Sequence, residues 1–271
     1  MQVERVAGEV GLHLETEGAG PVLCLAHGFG GSARNFRPQA RALKDSWRTA
    51  LFDLRGHARS EAPVAPEAYA PECLAADFGR VLDHLRVECA VVGGLSMGAG
   101  LALRFASSHR ERVRALVLAA FPPGVGEAGG RHRSWALDFA AAIERDGLEA
   151  AGALYVWGER SGFDPGTAKL VKLGFLEHPP HAIVNTLRRV LAQQPSVDAL
   201  APELARLDVP VLVVVGGRDR LSLEPCRALA AALPHAEFEV IEGSGHVVNL
   251  AARDAFNARL VRFLAGLTDS R

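Results

Sequence analysis

Cysteine is scarce: the 271-residue chain has four, Cys24, Cys73, Cys89 and Cys226, and none are paired as C-x-x-C. Neither a zinc site nor a dithiol redox motif follows from such spacing, and a reducing compartment suits it best. Long apolar runs are missing as well. None approaches the roughly 20 residues that cross a bilayer, and the opening MQVERVAGEV has neither the basic start nor the apolar stretch of a secretion signal. The expectation is a cytoplasmic protein with no membrane partner. Neither sign of charge dominates: 30 Lys and Arg face 31 Asp and Glu, scattered along the chain, for a formal net charge of -1. Binding a phosphate backbone requires concentrated positive charge, so nucleic acid is a poor partner. Repeats and low-complexity segments are absent, and no pair of histidines has the spacing of metal ligands.

What is present is a chain long enough for one large hydrophobic core with room for an inserted subdomain, and 49% apolar residues to fill it. Short apolar runs alternate with amphipathic stretches, the pattern of a mostly parallel sheet with helices on both faces. Eight strands are expected: an antiparallel pair at residues 2–7 and 12–17, then buried runs at 22–26, 49–54, 90–95, 115–120, 211–215 and 237–241. Helical patterns occupy 33–44, 71–85, 97–107, 223–233 and 253–264. Residues 121–203 break the rhythm, opening on Phe-Pro-Pro-Gly and continuing as helices without a convincing strand. The expected organisation is therefore an α/β core from 1–120 and 204–271, with a helical cap from 121–203 inserted between two strands.

Gly94-Leu95-Ser96-Met97-Gly98 lies directly after one buried run and directly before a helix. A sharp strand-to-helix turn of this kind strains the Ser backbone, exposes its oxygen at the carboxyl end of the sheet, and needs small flanking residues. A Ser hydroxyl attacks well only when a base takes its proton and an acid orients that base. Behind such an elbow the chain order is Ser, then Asp or Glu, then His. Asp219, in Gly216-Gly217-Arg218-Asp219, follows one late strand; His246, in Gly243-Ser244-Gly245-His246, follows the next. Without its neighbours Ser96 would be only a helix-cap residue, Asp219 a turn residue and His246 a loop histidine. Among the other histidines, His13 is expected along an early strand, and His84, His109, His132, His178, His181 and His235 on helices or surface loops, without a chemical role.

Negative charge on a tetrahedral intermediate needs fixed N–H donors. One is expected from Met97, next to the nucleophile. The other should come from His27-Gly28-Phe29-Gly30-Gly31-Ser32, at Phe29. The same loop admits a rival: Gly28, Gly30 and Ala33 fit a relaxed G-x-G-x-x-A dinucleotide fingerprint, with Asp53 about 20 residues on. That rival leaves Ser96, Asp219 and His246 without a joint explanation. No Gly-Lys-Ser/Thr ending is present for a P-loop.

Four segments, His27-Gly28-Phe29-Gly30-Gly31, Asp53-Leu54-Arg55-Gly56-His57, Gly94-Leu95-Ser96-Met97-Gly98 and Gly245-His246, give the chain its likeness to a family. It resembles the cap-bearing α/β-hydrolase superfamily, most nearly the bacterial branch of 3-oxoadipate enol-lactonases and small carboxylesterases. The resemblance implies an α/β-hydrolase fold and a turn at 53–57 that shapes the site without joining the triad. It also has departures: Ala58 and Ala99 stand where Gly is usual, and Ala251 and Arg253 replace the familiar Glu and Pro before the last helix. The expected activity is hydrolysis of a small carboxylic ester or lactone through an acyl-enzyme. His246 would serve as base, Asp219 as its orienting acid, and Phe29 with Met97 as the oxyanion hole; no cofactor is implied. The partner is a small-molecule substrate, held by cap aromatics drawn from Trp135, Phe139, Tyr155, Trp157, Phe163 and Phe175, with Trp135 and Trp157 the first candidates. Arg131, Arg133 and Arg160 leave room for a carboxylate-bearing substrate. Carbon–carbon bond hydrolases, synthases using the triad for proton abstraction, and a silent receptor on the same fold are the alternatives.

Overall fold

A computed structural model describes residues 1–124, 130–159 and 165–268. Its centre is an eight-stranded sheet of β1 (Gln2–Val6), β2 (Leu12–Glu17), β3 (Val22–Ala26), β4 (Arg48–Phe52), β5 (Ala90–Leu95), β6 (Val113–Ala119), β7 (Val211–Gly216) and β8 (Ala236–Ile241). The spatial order is β1-β2-β4-β3-β5-β6-β7-β8. β1 and β2, and β2 and β4, run antiparallel; every other neighbouring pair is parallel. This is the mostly parallel sheet expected from the sequence.

The central strands are continuous apolar runs because both faces of each are covered. Alternate side chains feed two separate cores. Cys24, Val92, Leu116, Leu118 and Val213 join the core on one face; Leu23, Leu25, Val91, Val117 and Leu212 join the core on the other. The second face is closed by α1 (Arg37–Leu43) and α11 (Arg253–Thr268), whose Ala40, Leu43, Phe256, Leu260 and Phe263 are buried. The first is closed by α2 (Pro71–His84), α3 (Met97–Ser108) and α9 (Leu223–Ala232).

Between β6 and β7, the described residues form only helices: α4 (Arg131–Asp146), α5 (Leu148–Gly152), a π-type turn over Ala153–Trp157, α6 (Pro165–Phe175), α7 (Pro180–Arg189), a short turn and α8 (Val197–Leu204). α4 turns one stripe inward, with His132, Ala136, Phe139, Ala140 and Ile143 buried at helical spacing. That stripe joins the first-face core. Among the described residues no helix is long and apolar enough to cross a membrane.

Two elements depart from expectation. Residues 33–44 do not form one helix: a 3₁₀ turn, Ala33–Phe36, precedes α1. Pro38 explains the break, since it has no N–H to give and is tolerated only in a first helical turn. The last helix is preceded by the short α10 (Val248–Ala251) and then runs to Thr268, past residue 264. Ala58, where glycine is usual, sits at φ 44, in the left-handed region that gives glycine its advantage there.

Gly98, in the first turn of α3, has no room for a side chain. A Cβ there would overlap the carbonyl oxygens of Ala26 and His27, at the end of β3. Gly98→Ala should therefore destabilise the fold by roughly 1–3 kcal/mol, the usual range for overpacking. Denaturant unfolding checks this, and a midpoint equal to that of the parent chain would contradict the tight approach of α3 to β3.

Candidate active site

Parallel strands deliver their following loops to one edge of the sheet, and three such loops carry the expected triad. Ser96 follows β5 at φ 54 and ψ -116, a conformation rare for any residue with a side chain. Strain of this kind amounts to about 1–3 kcal/mol and persists only where the surroundings enforce it. Here the Ser96 N–H donates to Ala119 O of β6 (2.8 Å), and the Ser96 carbonyl accepts from Ala99 (2.9 Å) and Gly100 (3.1 Å) in α3. The residue is thus gripped on both sides, with its side chain at the amino end of a helix.

Asp219 closes the turn after β7 and is nearly buried. Its Oδ1 accepts the N–H groups of Leu221 and Ser222, each at 3.2 Å, and its Oδ2 accepts from His246 Nδ1 at 2.7 Å. Burial pushes the Asp219 pKa upward, but the His246 bond and charge, with the Ser222 donors, outweigh it and hold the carboxyl below its ordinary value. An ionised carboxylate only accepts hydrogen bonds, so Nδ1 of His246 carries a proton. In a neutral His246 the remaining nitrogen, Nε2, is then free to accept one. No hydrogen bond joins His246 to Ser96 among the described residues; in substrate-free sites such bonds are often open.

The acid and histidine loops hold each other. Gly217 N–H donates to Ile241 O (3.0 Å) and Arg218 N–H to Ser244 O (2.8 Å). A Cβ on Gly216 would overlap the carbonyl oxygens of Ser244 and Gly245, so glycine is what lets the two loops cross.

The loop after β3 lies beside the nucleophile: a Cβ on Gly28 would stand 3.5 Å from Ser96 Cβ. Neither the Phe29 N–H nor the Met97 N–H is taken up by a hydrogen bond among the described residues, and Met97 opens α3, where such donors are left over. Both expected oxyanion donors are therefore free. His27 props this loop from within. Leu54 N–H donates to its Nε2 (3.0 Å), so its Nδ1 donates to Gly28 O (2.7 Å), and burial drives its pKa down to about 4. Asp53, the would-be ribose ligand of the dinucleotide alternative, is fully buried and engaged by Ala33 N–H (2.7 Å) and the Arg59 guanidinium (2.8 Å). It serves as a brace. Glu15 completes the support, its buried carboxylate accepting from Arg37 (2.8 Å) and Arg59 (2.6 Å).

From the helical insertion, Trp135, Phe139 and Phe175 meet the Phe29 ring edge-on, with centroids 6.4, 6.2 and 5.7 Å away. Trp157 lies one layer back, against Phe175 at 5.7 Å and across Gly152. Tyr155 stacks on Phe139 at 4.7 Å. Arg131 and Arg133 are exposed, and Arg133 donates to Ala192 O. Phe163 and Arg160 lie outside the described residues.

Of the two histidines expected on helices or surface loops, His132 does lie on a helix, α4, with its side chain buried, while His178 lies in a loop but is itself buried and not at the surface. The signal was present for His132, which falls on the inward stripe of α4. His178 follows α6 and accepts the Ala58 N–H through Nδ1 (2.8 Å). His57, read as structural, is buried between His27 and His178. Among the described residues no cluster of three or more His, Cys, Asp or Glu side chains could hold a metal ion.

The sequence pattern of the alpha/beta hydrolase fold family matches residues 21–146. The chain is 30% identical to 3-oxoadipate enol-lactonase 2 of Acinetobacter baylyi over 268 residues, spanning 93% of this chain and 92% of that one. It is 29% identical to a Bacillus subtilis protein provisionally named 2-succinyl-6-hydroxy-2,4-cyclohexadiene-1-carboxylate synthase, over 91% of this chain and 90% of that one. Its structure superposes on a thermophilic esterase from Thermogutta terrifontis with a TM-score of 0.83 and 25% identity, covering 98% and 99% of the two chains. This chain belongs to the α/β hydrolase family.

The bracing network makes a pH prediction. Burial alone would raise the Glu15 pKa, but the Arg37, Arg59 and His13 hydrogen bonds lower it to about 2. A depressed carboxylate pKa stabilises the fold fully above the unfolded value, about 4.3, and that contribution is lost as pH falls toward 2. Glu15→Gln should cost roughly 2–3 kcal/mol at pH 7 and flatten the acid loss between about pH 4.3 and 2. Unfolding free energies measured at pH 7 and pH 3 test this; equal acid sensitivity in both proteins would contradict it.

Proposed function

We propose that the chain is a serine hydrolase that cleaves a small carboxylic ester or lactone through an acyl-enzyme. The observation that carries this is the Asp219–His246 pair, 2.7 Å apart on the loops after β7 and β8, on the same sheet edge as a serine held at φ 54. Ser96 Oγ attacks the carbonyl while His246 Nε2 takes its proton. Asp219 holds the proton on Nδ1 and balances the imidazolium that forms. The tetrahedral oxyanion is held by the N–H groups of Phe29 and Met97. The leaving alcohol receives the proton from His246, which then activates water to release the acid. The chemistry calls for no cofactor, and the helical segment within 121–203 acts as the cap over the site. Similarity to an esterase and an enol-lactonase supports an ester or lactone substrate.

A second reading is favoured by the Bacillus subtilis relative, whose provisional name is that of a synthase. The same three residues can abstract a proton from carbon instead of acylating Ser96. A fluorophosphonate probe separates a working nucleophile from a silent receptor, and a panel of p-nitrophenyl esters and enol-lactones separates acyl transfer from proton abstraction.

Ser96→Ala should lower kcat by about 10⁶-fold, as when serine nucleophiles are removed elsewhere, while the protein stays folded. Asp219→Asn should lower it by about 10⁴-fold, by analogy with a protease triad. Substantial esterase activity in the Ser96 variant would end the assignment. A nearly silent Asp219→Asn would move the acid role to another carboxylate, Glu242 or Glu224; the Glu224 side chain is 79% exposed, which argues against it.

Trp135 packs on the oxyanion loop, so Trp135→Ala should change the ratio of short-chain to long-chain ester rates by about tenfold, the worth of one or two methylene contacts. Trp157, one layer back, should affect stability more than that ratio. Initial rates across acyl lengths decide, and a constant ratio in the Trp135 variant would make its role structural.

A further inference from the structure

The aromatic rings of the insertion that meet Phe29 bring with them one buried imidazole, that of His132, which packs on Trp135. His132 sits in the first turn of α4, 8% exposed, and its buried Nε2 has no hydrogen-bond partner among the described residues. Its ring stacks on Trp135 at 5.8 Å and 14°, and Trp135 in turn meets the Phe29 ring of the oxyanion loop. Burial lowers the His132 pKa, and positive charge on His246 lowers it further. A buried polar atom left unpaired is costly, and interiors rarely keep one without reason.

The character of the neighbouring groups says what that reason is. Arg131 and Arg133 of the same helix are exposed, and among the described residues no Lys or Arg of the insertion is buried. The other buried histidine of the insertion, His178, is also kept toward its neutral form, first by burial. A carboxylate entering here would lose its hydration and meet no buried cation. An uncharged hydroxyl or keto oxygen would meet a partner able to donate or accept.

Resting on the serine-hydrolase reading above, we propose that His132 is the specificity determinant of the site. Its Nε2 hydrogen-bonds an uncharged hydroxyl or keto oxygen of the substrate, so that hydroxy- or oxo-substituted esters are preferred over plain alkyl esters and over carboxylate-bearing ones.

The test compares ethyl 3-hydroxybutyrate, 2-hydroxyethyl butyrate, ethyl butyrate and monoethyl succinate by pH-stat hydrolysis. The parent enzyme should favour at least one hydroxylated ester over ethyl butyrate by about tenfold in kcat/KM, the worth of one buried hydrogen bond. His132→Phe, which keeps a ring on Trp135, should collapse that preference to within about threefold, and His132→Asn should restore part of it. Monoethyl succinate as the best substrate, no preference in the parent enzyme, or a preference that survives His132→Phe would overturn the proposal. The binding arm is independent of turnover. In Ser96→Ala protein, the ¹⁵N resonance of His132 Nε2 should move on adding the preferred hydroxylated ester and not on adding ethyl butyrate. If no ester is hydrolysed, the hydrolase reading fails while this resonance still decides the role of His132; a signal unmoved by every ester rejects it.

Discussion

A carboxylate taken out of water must be surrounded by donors, and the site is arranged around that requirement at Asp219. Two backbone N–H groups and one imidazole satisfy it, and in doing so they fix the turn after β7, the tautomer of His246 and the placement of the loop after β8. Removing any donor would leave a buried charge poorly compensated, at a cost of several kcal/mol. The structural demand and the chemical one therefore coincide, because the bond that pays for burying Asp219 is the bond that leaves His246 Nε2 able to accept a proton.

A second buried network does the same for the opposite side of the site. Glu15, Asp53, Arg37 and Arg59 interlock beneath the loop after β3, and His27 ties that loop to Leu54. None of these residues is placed to touch the reacting atoms. Their effect is to hold the loop after β3 beside Ser96, as the proposed oxyanion role of Phe29 requires. The Phe29 ring then becomes the point at which the helical insertion rests on the core, through Trp135, Phe139 and Phe175.

Much of this was legible in the sequence because parallel strands buried on both faces leave continuous apolar runs, and because sharp turns after them demand glycine. The runs at 22–26 and 90–95 coincide with β3 and β5, and Gly94, Gly98 and Gly216 mark close approaches of backbone. Ser96, Asp219 and His246 could be nominated since a strand's end fixes which edge the following loop occupies. The Asp219–His246 contact itself depends on loop geometry. Residues 33–44 were misjudged as one helix because apolar spacing outweighed Pro38. Burial of His132 and His178 was missed because a histidine reads as polar wherever it stands, and only the helical stripe around His132, or the packing of the insertion around His178, shows it turned inward. Trp135 and Trp157 look alike in sequence, yet only the former packs directly on Phe29.

The central claim is that Ser96 becomes acylated, and a trapped intermediate tests it most directly. Rapid acid quench during turnover of a slowly deacylating p-nitrophenyl ester, followed by peptide mass spectrometry, should find one acyl group, located on Ser96. Its amount should fall sharply in a His246→Ala variant. Sustained turnover with no acyl adduct, or an adduct on a different residue, would contradict the account.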